Sequence, residues 1–269
     1  MKSILLYVND DPGQESRLLA TLALVRQHGA RLTCIQVTPI SDYVVTDPFG
    51  GMYQVQTLLE QLADRAVEAR SHIEARLANE GFEWDWSVYD GDVAGTIVQR
   101  SQLSDLIVVS QADNARGHRR HPQSLVADIA LHVRTPVLAV PIAAPAFNPG
   151  GLAMIAWNGS PEAGHAIRAA LPMLKMASGV HVVTFDENEE TSKEDVRQYL
   201  AAHGIATECA IQHLDGKSVG EALCLAATTR DAAFVVMGAY GHSRLREAVL
   251  GGVSRHMMAQ STVPLLLAH

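Results

Sequence analysis

Two stretches decide the fold of this chain: DLIVVS at residues 105–110 and AFVVMG at residues 233–238. Both are apolar runs rich in β-branched residues, the pattern of a strand buried on both faces of a parallel sheet. Each is followed by a helix-compatible stretch and then by a proline, Pro136 or Pro264, that opens another apolar run. The offset is 128 residues at both landmarks (238 − 110 and 264 − 136), which predicts that one structural unit occurs twice.

The beginnings of the two halves match as well. ILLYVN at 4–9 reads as a strand that turns into a helix at Pro12, and MIAWN at 154–158 does the same before Pro161. The offset here is 149 residues (161 − 12), so the second half is shorter by 21 residues (149 − 128) between its first and fourth strands. We expect the extra residues of the first half to lie around 41–62.

Strands and helices alternate through each half, which indicates parallel sheets with helices on both faces. The sequence therefore predicts an α/β protein with two doubly wound five-stranded domains in tandem, at 1–142 and 152–269. The Pro/Ala/Gly-rich stretch 143–151 is the expected linker. The remaining predicted strands are the second pair, 31–37 and 180–185, and the third pair, 83–89 and 207–212.

Composition excludes several classes of function. The net charge of −8 argues against nucleic-acid binding, which needs a basic face. No apolar run approaches the ~20 residues that cross a bilayer, and the start lacks the features of a secretory signal, so we expect neither a membrane segment nor secretion. Cys34, Cys209 and Cys224 lie in apolar contexts without metal or redox spacing. We expect buried free thiols and a cytoplasmic location, and no metal site.

The loop after the fourth strand of the second half is the stretch that suggests chemistry. It reads GAYGHSRLREAVLGGVS at residues 238–254. Gly238 and Gly241 permit tight turns and close backbone approach to a ligand. The run from Gly251 to Ser254 opens a predicted helix at 255–260, whose free N–H groups and dipole favour an anion, and Ser254 adds a hydroxyl donor. Plain turn and helix-entry roles for these glycines are the competing interpretation.

This stretch resembles the nucleotide loop of the universal stress protein family, G-x-x-G, nine residues, then G-[S/T]. Gly238, Gly241 and Gly251 match that spacing in full, whereas Gly252 departs from the Ser or Thr of the closing pair and removes one hydroxyl. The resemblance covers nearly the whole chain. It implies tandem domains of the adenine-nucleotide α-hydrolase-like fold related by a pseudo-twofold axis, and ATP in the second half, with Mg²⁺ accompanying the triphosphate.

The resemblance also implies further contacts around the nucleotide. Ala156 and Trp157 match positions that border it, and Asn158 replaces the aspartate that ends the first strand in the family. Phe185 matches the backbone edge that meets adenine, and Met237 would line the same pocket. A turn role for Asn158 and core packing for Trp157 and Phe185 remain equally open. The other candidate contacts are His242, for which simple exposure is the alternative, Val253 and Ser254.

The first half lacks the loop glycines. Ser110, Asp113, Gln123 and Ser124 stand where the second half has Gly238, Gly241, Gly251 and Gly252. Side chains at these places hinder close backbone approach, and a carboxylate at 113 repels phosphate. We therefore expect the first half to bind no ATP and to serve as a structural or interaction partner.

The resemblance implies regulation or stress adaptation through nucleotide binding rather than strong catalysis. A slow ATPase or phosphotransferase is one alternative, although the sequence offers no convincing general base near the loop. A nucleotide-free interaction module is the other, which the departures at Asn158 and Gly252 allow. A homodimer and an unidentified protein partner are compatible with each of these.

Overall fold

A computed structural model describes residues 1–38, 67–111, 125–144, 146–185, 190–239 and 252–269. These residues form ten strands and eight helices. The strands are β1 Ser3–Val8, β2 Arg31–Thr38, β3 Trp84–Asp90, β4 Leu106–Ser110, β5 Val137–Val140, β6 Leu152–Ala156, β7 Gly179–Thr184, β8 Thr207–Ile211, β9 Phe234–Gly238 and β10 Leu265–Ala268. The helices are α1 Gln14–His28, α2 at residues 67–77, α3 Val93–Arg100, α4 Leu125–His132, α5 Pro161–Leu174, α6 Glu190–Ala202, α7 Val219–Thr229 and α8 Gly252–Gln260.

The strands form one sheet in the order β3-β2-β1-β4-β5-β10-β9-β6-β7-β8. The order is the same from either edge, because each half runs third, second, first, fourth and fifth strand toward the centre. All neighbours within a half are parallel, and the central pair, β5 and β10, is antiparallel. An antiparallel central pair relates the halves by an approximate twofold rotation. The predicted tandem of doubly wound units is confirmed, and the joining of both into one sheet was not foreseen.

The predicted strands agree with the observed ones to within one or two residues. The third strand of the first half, predicted at 83–89, is Trp84–Asp90, and the second strand of the second half, predicted at 180–185, is Gly179–Thr184. The last helix begins at Gly252 rather than at the predicted 255. The expected insertion at 41–62 lies outside the described residues, and the domain limits 1–142 and 152–269 stay predictions.

The core lies on both faces of the sheet. On one face α1, α2, α5 and α6 pack over the strands, with Leu22, Leu77, Ala170 and Leu200 among the buried contacts. On the other face α3, α4, α7 and α8 cover the opposite side chains of the same strands. Burial on both faces explains why β4 and β9 read as continuous apolar runs, since neither face has to meet water.

The three cysteines are free but are not equally buried. Burial, with Asp85 and Glu74 nearby, raises the pKa of Cys34 to about 12. Cys224 is only partly buried, although burial still raises its pKa, and Cys209 is partly buried on the edge strand β8. The prediction of buried thiols therefore holds for Cys34 alone. Cys209 lies on an edge strand, which has no neighbouring strand on one side, and Cys224 lies on helix α7. No helix in the described ranges has the length and apolar character needed to cross a membrane.

Candidate functional site

The carboxyl ends of β6 and β9 lie side by side at one edge of the sheet, with Ala156 in register with Met237. Helix α5 starts at Pro161, shortly after β6, and α8 starts at Gly252 before the chain returns through β10. In a doubly wound sheet, helices that follow strands begin at the strands' carboxyl edge, and ligands bind there. This edge brings together the predicted loop glycine Gly238 and the first turns of two helices.

Gly238 is held close to the first turn of α5. A Cβ atom at this position would lie 2.5 Å from the backbone N of Ala163 and 2.7 Å from the carbonyl carbon of Glu162. Real Cβ atoms do not approach backbone so closely, so the strand and the helix must separate to admit any side chain. The glycine is therefore required by packing within the domain, whether or not a ligand also approaches it.

We expect Gly238→Ala to lower the free energy of unfolding by about 1–3 kcal/mol, the usual cost of overpacking a tight contact. Urea denaturation of the two proteins measures this difference. The matched control is Gly252→Ala, because a Cβ at Gly252 would meet nothing within 4 Å. Its effect should stay below that of Gly238→Ala, and equal losses would show that the close approach at Gly238 relaxes without cost.

A buried glutamate that the sequence analysis missed lies beside Gly238. Glu162, in the first turn of α5, is 4% exposed, and its Cβ lies 2.9 Å from the position a Cβ at Gly238 would take. Carboxylates are rarely buried to this extent. The repeat offset of 149 aligns Glu162 with Gly13 of the first half, and this exchange of a glycine for a carboxylate was the available signal.

The candidate residues that follow β6 form a turn into α5. The side-chain oxygen Oδ1 of Asn158 accepts a hydrogen bond from the backbone N of Ser160 at 3.2 Å. The hydroxyl of Ser160 in turn caps the helix by accepting from the backbone N of Ala163 at 3.2 Å. Trp157 donates its backbone N–H to the carbonyl of Val183 at 2.9 Å, which extends the sheet, and it packs against the core. These contacts give both residues the local roles that the sequence left open.

Met237 and Phe185 lie on the same face of the sheet. Met237 is 4% exposed, and Phe185 is partly buried and packs against the same apolar cluster. Ala156 packs at the margin of that cluster. All three therefore serve the core, and only the partly exposed surfaces of Phe185 and Ala156 are available to a ligand.

The first turn of α8 contains three predicted contact residues. Gly252 is exposed, Val253 is partly exposed, and Ser254 is 7% exposed. A Cβ atom at Gly252 would meet nothing within 4 Å, so the structure leaves space for a side chain at this position. Gly241, His242 and Gly251 lie outside the described residues.

The equivalent corner of the first half is filled by an arginine. Arg17, on α1, is 1% exposed, and its guanidinium donates to both carboxylate oxygens of Asp11 at 2.9 Å. It also donates to the hydroxyl of Ser110 at 2.6 Å, to the carbonyl of Tyr7 at 3.1 Å and to the side-chain oxygen of Gln14 at 2.8 Å. A bidentate arginine–carboxylate pair is among the stronger polar contacts in proteins. The guanidinium thus occupies the space between the ends of β1 and β4.

The two halves place their side chains at this corner in opposite ways. In the first half the helix carries Gly13 and the strand carries Ser110, and a Cβ on Gly13 would lie 2.3 Å from the serine hydroxyl. In the second half the helix carries Glu162 and the strand carries Gly238. The offset of 149 also aligns Arg17 with Ala166, which is fully buried. Asp113, Gln123 and Ser124, the other first-half counterparts, lie outside the described residues.

Metal ligands do not cluster in the described ranges, where no three His, Cys, Asp or Glu side chains come together in a ligating arrangement.

Comparison with known protein families gives a match for the second half of the chain. Residues 153–269 match the model of the universal stress protein family. No curated protein matched the sequence.

Solved structures share the fold across the whole chain. A universal stress protein from Archaeoglobus fulgidus aligns at a TM-score of 0.75 and 15% identity, covering 99% of this chain and 97% of its own. A functionally unknown protein from Pseudomonas aeruginosa aligns at a TM-score of 0.62 and 15% identity, covering 100% and 92%. A universal stress protein in complex with cAMP aligns at 14% identity with 53% of this chain and 98% of its own, but its TM-score of 0.35 carries no inference about a ligand.

Proposed function

Residues 153–269 belong to the universal stress protein family, and from that premise we propose that the chain is a stress-response regulator that binds one ATP, in its second half. The strand order of that half is repeated in the first, but the corner equivalent to the nucleotide site is not. The proposal therefore assigns different roles to two halves of the same fold: the second half senses a nucleotide, and the first supports it.

The difference between the two strand-end corners is the observation that carries the proposal. The guanidinium of Arg17 lies between the ends of β1 and β4, where a phosphate chain would have to displace it. In the second half the equivalent helix position is Ala166, the strand ends in Gly238, and α8 presents an exposed first turn at Gly252. A helix N-terminus at the edge of the sheet where Gly238 lies is suited to phosphate.

The buried carboxylate of Glu162 makes a divalent cation part of the proposal. A carboxylate beside a polyphosphate repels it, by about 4 kcal/mol for two unit charges ~4 Å apart near a protein surface. Mg²⁺ bound to the phosphates would offset that repulsion, and Glu162 is an acidic residue whose Cβ lies beside Gly238. ATP should therefore bind more weakly when EDTA removes the cation.

Isothermal titration calorimetry with MgATP tests the proposal, and we expect one site per chain. Binding should persist in Ser110→Ala, which alters the first-half corner, because that corner holds Arg17 rather than a ligand. Two equivalent sites would contradict the asymmetry. An absence of binding by ATP, ADP and AMP would leave the nucleotide-free interaction module as the function of the chain.

Slow ATP hydrolysis is the second candidate function, and Glu162 is the observation that favours it. A general base must lie within hydrogen-bonding reach of the water it activates, and a carboxylate can serve. If the chain hydrolyses ATP, we expect Glu162→Gln to lower the rate of phosphate release by about 100-fold or more, the usual contribution of such a base. Binding affinity should change far less. A rate that is unaffected by Glu162→Gln, or too slow to measure in the parent, would leave the regulatory function alone.

The cysteines bear on where the protein is located, and the outer edges of the sheet bear on what it could assemble with. Three free thiols are typical of a reducing compartment, and we place the protein in the cytoplasm. β3 and β8 form the outer edges of the described sheet, where a second copy or another protein could add a strand. Size-exclusion chromatography with light scattering, with and without MgATP, measures whether a homodimer forms and whether the nucleotide controls it.

A further inference from the structure

A groove crosses the junction between the two halves, away from the corner that the nucleotide proposal concerns. The groove has a volume of about 390 Å³, within the range of small-molecule sites. The first half contributes the amino ends of β4 and β5 and the residues just before them, and the second half contributes one side of α5. The lining residues are Met1, Ser104, Asp105, Arg134, Thr135, Pro136, Arg168, Ala169 and Pro172.

Arg134 and Arg168 face this groove from opposite halves, and both are exposed. In the part of the chain that the structure describes, no carboxylate forms an ion pair with either of them. Six other described arginines do pair with a carboxylate. Arg100, Arg230 and Arg255 also lack a carboxylate partner among the described residues, so Arg134 and Arg168 are distinguished by lining the same groove.

The one carboxylate in the lining already has partners of its own. Asp105 accepts hydrogen bonds from the backbone N atoms of Lys2 and Ser3, the second at 3.1 Å. It thereby fixes the start of β1 against the start of β4, and this accounts for its presence without reference to the arginines. The groove thus combines two cations with an acid committed to the fold.

The pseudo-twofold relation supplies an internal comparison. It relates the groove to an equivalent surface in the other half of the repeat. There the offset of 149 makes Leu19 the counterpart of Arg168, and the offset of 128 makes Thr262 the counterpart of Arg134. Leu19 is 41% exposed and Thr262 is exposed, so neither place forces a side-chain type by burial. Only one of the two equivalent surfaces therefore carries the two arginines, so the fold itself does not require them.

We propose that this groove binds a small phosphorylated molecule whose phosphoryl oxygens bridge Arg134 and Arg168. The guanidinium group is planar and can give two parallel hydrogen bonds to a phosphoryl group, and two such groups suit a dianion. Because one arginine comes from each half, the bound molecule would contact both units of the tandem. The proposal does not rest on ATP binding in the second half.

Titration calorimetry with inorganic pyrophosphate tests the proposal on the full chain. We expect Arg134→Gln and Arg168→Gln each to weaken binding by about tenfold, and the double variant by about 100-fold. The matched control is Lys175→Gln, which removes the same charge from the end of α5 but lies outside the groove lining, and its affinity should stay within about twofold of the parent. Thermal unfolding verifies that each variant is folded, and ATP affinity should be unchanged in all of them.

Three results would overturn the assignment. The parent could fail to bind pyrophosphate, the double variant could bind it as the parent does, or Lys175→Gln could weaken binding as much as the arginine variants. A parallel titration with citrate tests the chemical class, and binding of citrate in preference to pyrophosphate would contradict the phosphoryl assignment. If ATP does not bind the second half, the proposed nucleotide function fails, but the expected difference between the arginine variants and Lys175→Gln remains.

Discussion

Arg17→Ala should lower the free energy of unfolding by about 3–5 kcal/mol, the usual cost of breaking a buried ion pair by removing one partner. The guanidinium is 1% exposed and donates to Asp11, Ser110, Tyr7 and Gln14. Its removal leaves a cavity and a set of acceptors that have lost their donor. Urea denaturation followed by circular dichroism measures the loss. Because we propose that ATP binds in the second half, its affinity should stay unchanged.

A double variant separates the effect of packing from the effect of charge at this corner. Arg17→Met keeps much of the side-chain volume, and adding Asp11→Asn removes the carboxylate that the arginine neutralised. We expect the double variant to be more stable than Arg17→Ala, since a buried pair can often be replaced by uncharged groups at little cost. If Arg17→Ala unfolds at the same urea concentration as the parent, the guanidinium does not hold this corner together. The proposed reason why the first half binds no nucleotide would then fail.

Gly241→Asp is expected to weaken ATP binding about a thousandfold and to leave the fold intact. The first half carries Asp113 at the matching place, so the chain itself offers this substitution. A carboxylate ~4 Å from a phosphate costs about 4 kcal/mol near a protein surface, and each ~1.4 kcal/mol is a factor of ten. Titration calorimetry measures the affinity. Gly238 is a poorer choice for this test, because substitution there disturbs the packing of β9 against α5.

Ser243→Asp is the matched control, since it adds the same charge within the variable part of the same loop. We expect it to change the affinity by less than about tenfold. If Gly241→Asp binds ATP as the parent does and melts normally, then this loop is not the phosphate site. The nucleotide proposal would fail with it, whereas the fold and the arginine groove would be unaffected.

The sequence by itself determined the repeat, the strands and the absence of the loop glycines from the first half. Each depends on information local to the chain. A strand buried on both faces reads as an unbroken apolar run, as at β4 and β9, and a proline or glycine marks where it ends. The offset of 128 at two separate landmarks then reveals the second copy, since unrelated segments seldom share the same spacing by chance. The same local information singled out Gly238, but it did not show that packing against α5 requires a glycine there.

Contacts between distant residues were decided only by the tertiary structure. The antiparallel pairing of β5 with β10 joins the halves into one sheet. The sequence of neither strand indicates which strand it pairs with, because pairing at a sheet edge uses backbone hydrogen-bonding groups that every strand has. From the sequence, Arg17 would be placed on the surface of a helix. In the structure it donates a hydrogen bond to Ser110, which is 93 positions away in the chain. Glu162 lies beside β9 only because Gly238 lets that strand approach α5. In each case the physical effect depends on a distance in space that the order of residues along the chain does not contain.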